Sequence, residues 1–164
     1  MTIRQLHCGF ALWAVFLVAL IVWAGLTLIG SPATERLRRI DEQRLNDLRG
    51  IRRALERLCV NRSGDRPRLM ADLPETLAEL DLRARRGDAV PWALALTDPV
   101  TAIPYEYRLV GGTVFEVCAR FDLPRNRRWE PFWNHPAGQH CFRLDLLDPT
   151  GSPPEIPAMA NPGP

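Results

Sequence analysis

The chain has 164 residues, room for one modest domain. With 46% apolar and 24% charged residues, it is not a disordered polyelectrolyte. The formal net charge is only +2, from 21 basic and 19 acidic side chains, which excludes the lopsided basic surface of a dedicated nucleic-acid binder.

Residues 1–5 form a short flank. From Leu6 to Ile29 no side chain carries a full charge. At about 1.5 Å per residue such a run crosses a hydrocarbon core of about 30 Å. Backbone amides cannot go unpaired in lipid, so residues 6–30 are expected to form a transmembrane helix, with Trp13 and Trp23 as interfacial anchors. A cleaved signal peptide would have an apolar region of about 7–15 residues and a small-x-small exit. This run is longer, and Ile29-Gly30-Ser31-Pro32-Ala33 is a poor cleavage site, so the expectation is an uncleaved anchor. Arg4 precedes the run and Arg36, Arg38 and Arg39 follow it, which by a literal positive-inside count keeps the remainder in the cytoplasm. Glu35, Asp41 and Glu42 dilute that count, and long domains translocate regardless of flanking charge. The expected topology is a single-pass bacterial inner-membrane protein with a periplasmic domain.

Residues 31–147 are expected to fold as an α+β domain. Gly30-Ser31-Pro32 should interrupt the helix, and Thr34 could cap a new one. Leu37, Ile40, Leu45, Leu48, Ile51, Leu55 and Leu58 mark one face of an amphipathic helix ending near Cys59. Arg36, Arg39, Asp47, Arg53 and Glu56 lie on its solvated face. Asn61 to Pro67 reads as a loop, Leu73 to Leu80 as a short helix and Arg83 to Val90 as a second loop. Pro91 to Thr97 is an apolar connector whose type stays open.

Tyr105–Val110 and Thr113–Phe121 both alternate with period two, and Gly111-Gly112 suits a tight hairpin turn between them. Cys141–Leu146 supplies a third alternating strand. Tyr105, Tyr107, Leu109, Phe115, Val117, Ala119, Phe121, Phe142, Leu144 and Leu146 share one apolar face. Glu106, Arg108, Glu116, Cys118, Arg120, Cys141, Arg143 and Asp145 share the other. The result is a three-stranded antiparallel sheet whose dry side is covered by the Leu37–Leu58 stripe. Residues 148–164 contain six prolines and are expected to be disordered.

Cys118 and Cys141 fall on one face of adjacent strands, close enough to bridge in an oxidising compartment. Cys59 with Cys118 is the competing pair, and a fully reduced set is the third alternative; Cys8 lies with the apolar segment. His135, His140, Cys118 and Cys141 are ligand types that zinc accepts, but they lack a two-residue chelating step, so no metal or cofactor is expected. Cys59 with a histidine would lack an oxyanion hole and an orienting third group, which leaves no catalytic residues. Asp98 should make an Asx-type turn leading into the first strand, with a calcium-ligating carboxylate as the alternative. Trp129, Phe132 and Trp133 either fold back onto the core or form an exposed surface for a protein partner. Gly111-Gly112 sits between strands and not before a helix, so it is no phosphate loop, and nothing else identifies a small-molecule substrate.

The order of membrane helix, interruption, amphipathic helix and antiparallel strands resembles type IV pilins and the pseudopilins of type II secretion. Asp98-Pro99-Val100-Thr101-Ala102-Ile103-Pro104-Tyr105-Glu106-Tyr107 is a loose match, one residue longer, to the stretch leading into the pseudopilin sheet. Gly9-Phe10 resembles the prepilin peptidase junction, and Pro32 the pilin helix kink. Where that family has a basic residue before the glycine and a glutamate five positions into the mature chain, this sequence has Cys8 and Ala14. Residues 98–142 also resemble a domain of uncharacterised bacterial membrane proteins, through Asp98-Pro99, Thr101, Pro104-Tyr105-Glu106-Tyr107, Cys118, Trp133, His135, Gly138 and Cys141-Phe142. The expected function is a non-enzymatic, membrane-anchored structural or interaction protein. A pseudopilin-like assembly subunit and a metal- or redox-active domain are the alternatives.

Overall fold

A computed structural model describes residues 3–29, 32–64, 66–86, 90 and 93–148. The chain divides into two compact units, Met1–Arg38 and Arg39–Pro164. The expected interruption at Gly30-Ser31 and the expected disorder beyond Asp148 both lie outside the described residues.

The first unit carries helix α1, Ile3–Ile29. It begins inside the flank expected at residues 1–5. At about 1.5 Å per residue its 27 residues extend about 40 Å. Every side chain from Leu12 to Trp23 is exposed, including Trp13 at 64% and Trp23 at 69%. Over residues 12–23 the helix is therefore apolar all round, with no face turned to a core. Its described side chains span only residues 12–25, about 20 Å of helix. Among the described residues, no helix is long and apolar enough to cross a membrane.

The second unit is α+β. Helix α2, Pro32–Cys59, which belongs to this unit from Arg39 onward, starts on a proline, whose fixed φ and missing N–H suit a first helical turn. Its apolar stripe is fully buried at Leu45, Leu48, Ile51 and Leu55. Leu37, however, is 38% exposed, because burial along α2 begins only at Asp41. The stretch read as a loop after α2 contains a short hairpin, β1 (Val60–Asn61) paired with β2 (Arg68–Leu69).

Helix α3 is Leu77–Arg86, later than the expected Leu73–Leu80 and reaching into the expected loop. Thr76 Oγ1 accepts the Glu79 N–H at 3.2 Å, and the Glu79 carboxylate reaches back to the Glu75 N–H at 2.9 Å. This near capping box fixes the start. The Glu79–Arg83 and Asp81–Arg85 pairs then carry the helix through residues that look like loop on polarity alone. Leu77, Leu80 and Ala84 are its buried face.

Strands β3 (Glu106–Gly111), β4 (Val114–Phe121) and β5 (Gly138–Asp145) form the expected antiparallel meander. The hairpin turn sits one residue later than expected. A register shift between Leu109 and Gly111 draws Gly111 into the strand, so Gly112 and Thr113 make the turn. Both Gly111 (φ 149°) and Gly112 (φ 57°) use backbone conformations that a side chain would disfavour. Strand β5 starts at Gly138 rather than Cys141. Phe115, Val117, Ala119, Phe121, Phe142, Leu144 and Leu146 join the α2 and α3 stripes in one core, whereas Leu109 stays 37% exposed beside the turn.

Candidate functional site

Cys118 and Cys141 are register partners on β4 and β5, with Cα atoms 4.0 Å apart, and their sulfurs are joined at 2.06 Å. The bridge follows directly from the alternation that put both residues on the polar face. Cys118 is nevertheless buried while Cys141 is exposed. Cys59 is a free, buried thiol. Burial pushes its titration up and Asp72 adds to that, against a smaller pull from Arg83, so the nucleophilic thiolate is disfavoured.

His135 is only 5% exposed, and its ring stacks on Phe121 at 3.7 Å between centroids. Its Nδ1 lies 3.0 Å from the Pro136 carbonyl oxygen. His140 packs edge-on to Phe142, 6.3 Å from the His135 ring. Burial lowers the pKa of both imidazoles. Since the two sulfurs are consumed in the disulfide, the four candidate ligands do not converge as a metal set. Among the described residues no group of three His, Cys, Asp or Glu side chains is arranged to hold a metal.

Among the described residues the most buried charge is Arg44, on α2. Its Nε donates to Asp98 at 2.6 Å, and one terminal nitrogen donates to Asp41 at 2.9 Å and to Asp122 at 2.7 Å. Burial disfavours the guanidinium, but those three carboxylates outweigh it and hold the proton above the ordinary arginine range. Asp98 makes the expected Asx-type turn: its Oδ1 accepts the Val100 and Thr101 N–H groups at 2.9 and 2.8 Å. Burial pushes the Asp98 carboxyl up, yet Arg44 and the two amides prevail and bring it down to about 2. Both oxygens are thereby occupied within the protein. Asp41 in turn accepts the Asp122 and Leu123 N–H groups, so α2 holds two turns flanking the sheet. Next to this hub, the Tyr105 hydroxyl donates to Asp47 at 2.8 Å.

The aromatic loop divides. The short 3-10 turn Pro131–Trp133 swings Trp133 inward, where it is 8% exposed, 4.9 Å from Phe142 and 5.3 Å from the Arg49 guanidinium. Phe132 is half-buried against the same core. Trp129 is 76% exposed. The three therefore do not form one partner surface, and two of them belong to the core.

Sequence reasoning missed the Arg44 hub. Its signal was present: Asp41 and Arg44 lie three residues apart, each four residues before a buried leucine of the apolar stripe, Leu45 and Leu48. Two opposite charges on an apolar face announce a buried pair. The chain matches no protein-family model, no curated protein and no solved structure.

Proposed function

We propose that the protein is a non-enzymatic, single-pass membrane-anchored structural or interaction protein, with its α+β domain on the periplasmic side of a bacterial inner membrane. The observation that carries this reading is α1. A helix of 27 residues whose side chains from Leu12 to Trp23 are apolar and all exposed belongs in a medium as apolar as itself. Read with the uncharged run Leu6–Ile29, its length suits a bilayer. The Cys118–Cys141 disulfide favours the oxidising side of that bilayer. Alkaline carbonate extraction of membranes carrying the full chain tests the anchor: the protein should stay in the pellet and leave it only with detergent. Release by carbonate alone refutes the anchor. A reporter fused after Leu146 tests the topology, and activity confined to the cytoplasm reverses it.

A pseudopilin-like assembly subunit is the second reading. It is favoured by the order of α1, α2 and a three-stranded antiparallel meander. N-terminal sequencing of the membrane form decides: a start at Phe10 supports it, and an intact Met1 removes it.

A further inference from the structure

We infer that the turn Arg127–Glu130 is a second membrane contact, which lays the domain on an anionic phospholipid surface. The inference rests on the anchor proposed above. Trp129 has the greatest fractional exposure of any described large apolar side chain, above even Trp23 of α1. The same loop buries Trp133 and half-buries Phe132, so Trp129 is the large apolar ring it leaves to solvent.

The turn is rigidly built. Backbone hydrogen bonds run both ways between Arg125 and His135, at 2.9 and 3.1 Å. The Asn134 side chain clamps Arg127, accepting its N–H at 2.7 Å and donating to its carbonyl at 3.3 Å. The Glu130 N–H closes the turn on the Arg127 carbonyl at 3.3 Å, which leaves Arg128 and Trp129 as its two central residues. The backbone that carries the indole is therefore fixed before contact.

Charge selects the surface. Arg125 pairs with Glu42 and Glu130, and Arg127 pairs with Glu42 while its guanidinium stacks 5.9 Å from the Trp129 ring. Arg49 also pairs with Glu130, which makes four arginines against two glutamates, with Arg128 at the tip exposed and without a partner among the described residues. An exposed indole flanked by guanidinium groups is the composition that favours an anionic headgroup layer. Glu42, which the loop contacts, follows Ile29 by thirteen residues in the sequence. A tether that short keeps the bilayer surface at high effective concentration, so weak contacts suffice.

The test is hydroxyl-radical footprinting of the full chain in lipid nanodiscs, read at Trp129 by mass spectrometry, with buried Trp133 as internal reference. Trp129 oxidation should slow at least threefold in discs containing phosphatidylglycerol relative to phosphatidylcholine alone. Arg128→Glu should restore the faster rate without changing Trp133. Equal Trp129 oxidation in both discs overturns the inference while leaving the anchor intact, and would direct Trp129 to a protein partner instead. A chain that fails to enter discs at all overturns the anchor and this contact together.

Discussion

Replacing Arg44 by methionine isolates the hub that joins α2 to the sheet. The substitution keeps much of the volume and the apolar stem but removes the guanidinium from among Asp41, Asp98 and Asp122. The arginine side chain is 6% exposed, and those of Asp41 and Asp98 are 8% and 11% exposed. Asp122 is 40% exposed, so water screens it and it contributes little. Two buried carboxylates are therefore stranded. Stranding one side of a buried ion pair costs about 3–5 kcal/mol. Backbone N–H groups still bond both Asp41 and Asp98, which puts the loss near the lower limit, at about 3 kcal/mol. For a domain of this size that corresponds to a melting temperature lower by roughly 10–15 °C.

The pH dependence gives the sharper signature. In the native protein Asp98 titrates at about 2, below its ordinary 3.8. Its stabilisation, about 2 kcal/mol, is thus fully present above pH 3.8 and is lost as pH falls through 2. In Arg44→Met burial acts on Asp98 without the opposing guanidinium, so its carboxyl should stay neutral to higher pH and the penalty should shrink between pH 7 and pH 4. Arg44→Lys, which keeps charge but not the fork that reaches several carboxylates, should fall between the two. Near-ultraviolet circular dichroism melts of the full chain in detergent, at pH 7 and pH 4, measure all of this. A methionine variant melting within 3 °C of the native protein at pH 7, or a penalty that grows on acidification, refutes the assignment.

Thiol counting under denaturing conditions should find two reactive cysteines before reduction and four after. Closing a 23-residue separation, the Cys118–Cys141 bridge should contribute about 3 kcal/mol, read as the loss in melting temperature on reduction or in Cys118→Ala/Cys141→Ala. His135 is held neutral by burial, so its folded pKa lies below the unfolded one. Stability from this site should be present above pH 6.5 and decline as pH falls below it, and His135→Phe should flatten that part of a stability–pH profile. Ala102 sits at φ 56°, where a β-carbon is strained. Ala102→Gly should therefore raise stability by about 0.5–1 kcal/mol in denaturant titration, and a loss of that size would refute the strain.

The sheet was legible because its signal is local. Alternation over Val114–Phe121 assigns each side chain to a face, and one register error would have put Cys118 in the core without Cys141 opposite. The Asx turn at Asp98 was legible for the same reason, since its acceptor and donors lie within three residues. Features set by distant groups were not. A two-residue strand such as Arg68–Leu69 has no period to detect, and both of its side chains are exposed. The Gly111-Gly112 pair marks a turn but not which glycine the ladder will absorb. Trp129 and Trp133 have similar sequence surroundings, and only the 3-10 turn at Pro131 separates the exposed ring from the buried one. Arg44 needs partners 54 and 78 residues away, so its role waits on the tertiary fold.

The location of the hub is itself informative. Along α2 the residues from Pro32 to Ile40 are exposed or partly exposed, and the first buried positions are Asp41 and Arg44, not leucines. The chain thus enters its domain through an ionic lock, and the apolar seam begins only one position later, at Leu45. The two contacts respond differently to a pull. Apolar packing is non-directional and yields by sliding, whereas a guanidinium bonded to fixed carboxylates yields only when desolvated partners separate. The lock also reaches both Asp98, ahead of β3, and Asp122, behind β4, so force arriving through α2 divides between two strands of one sheet. Just inside that end, the disulfide ties β4 to β5 and spreads it to the third. Under the anchor proposed above, load would reach the domain at this entry, where the charges, the turns and the covalent bridge coincide.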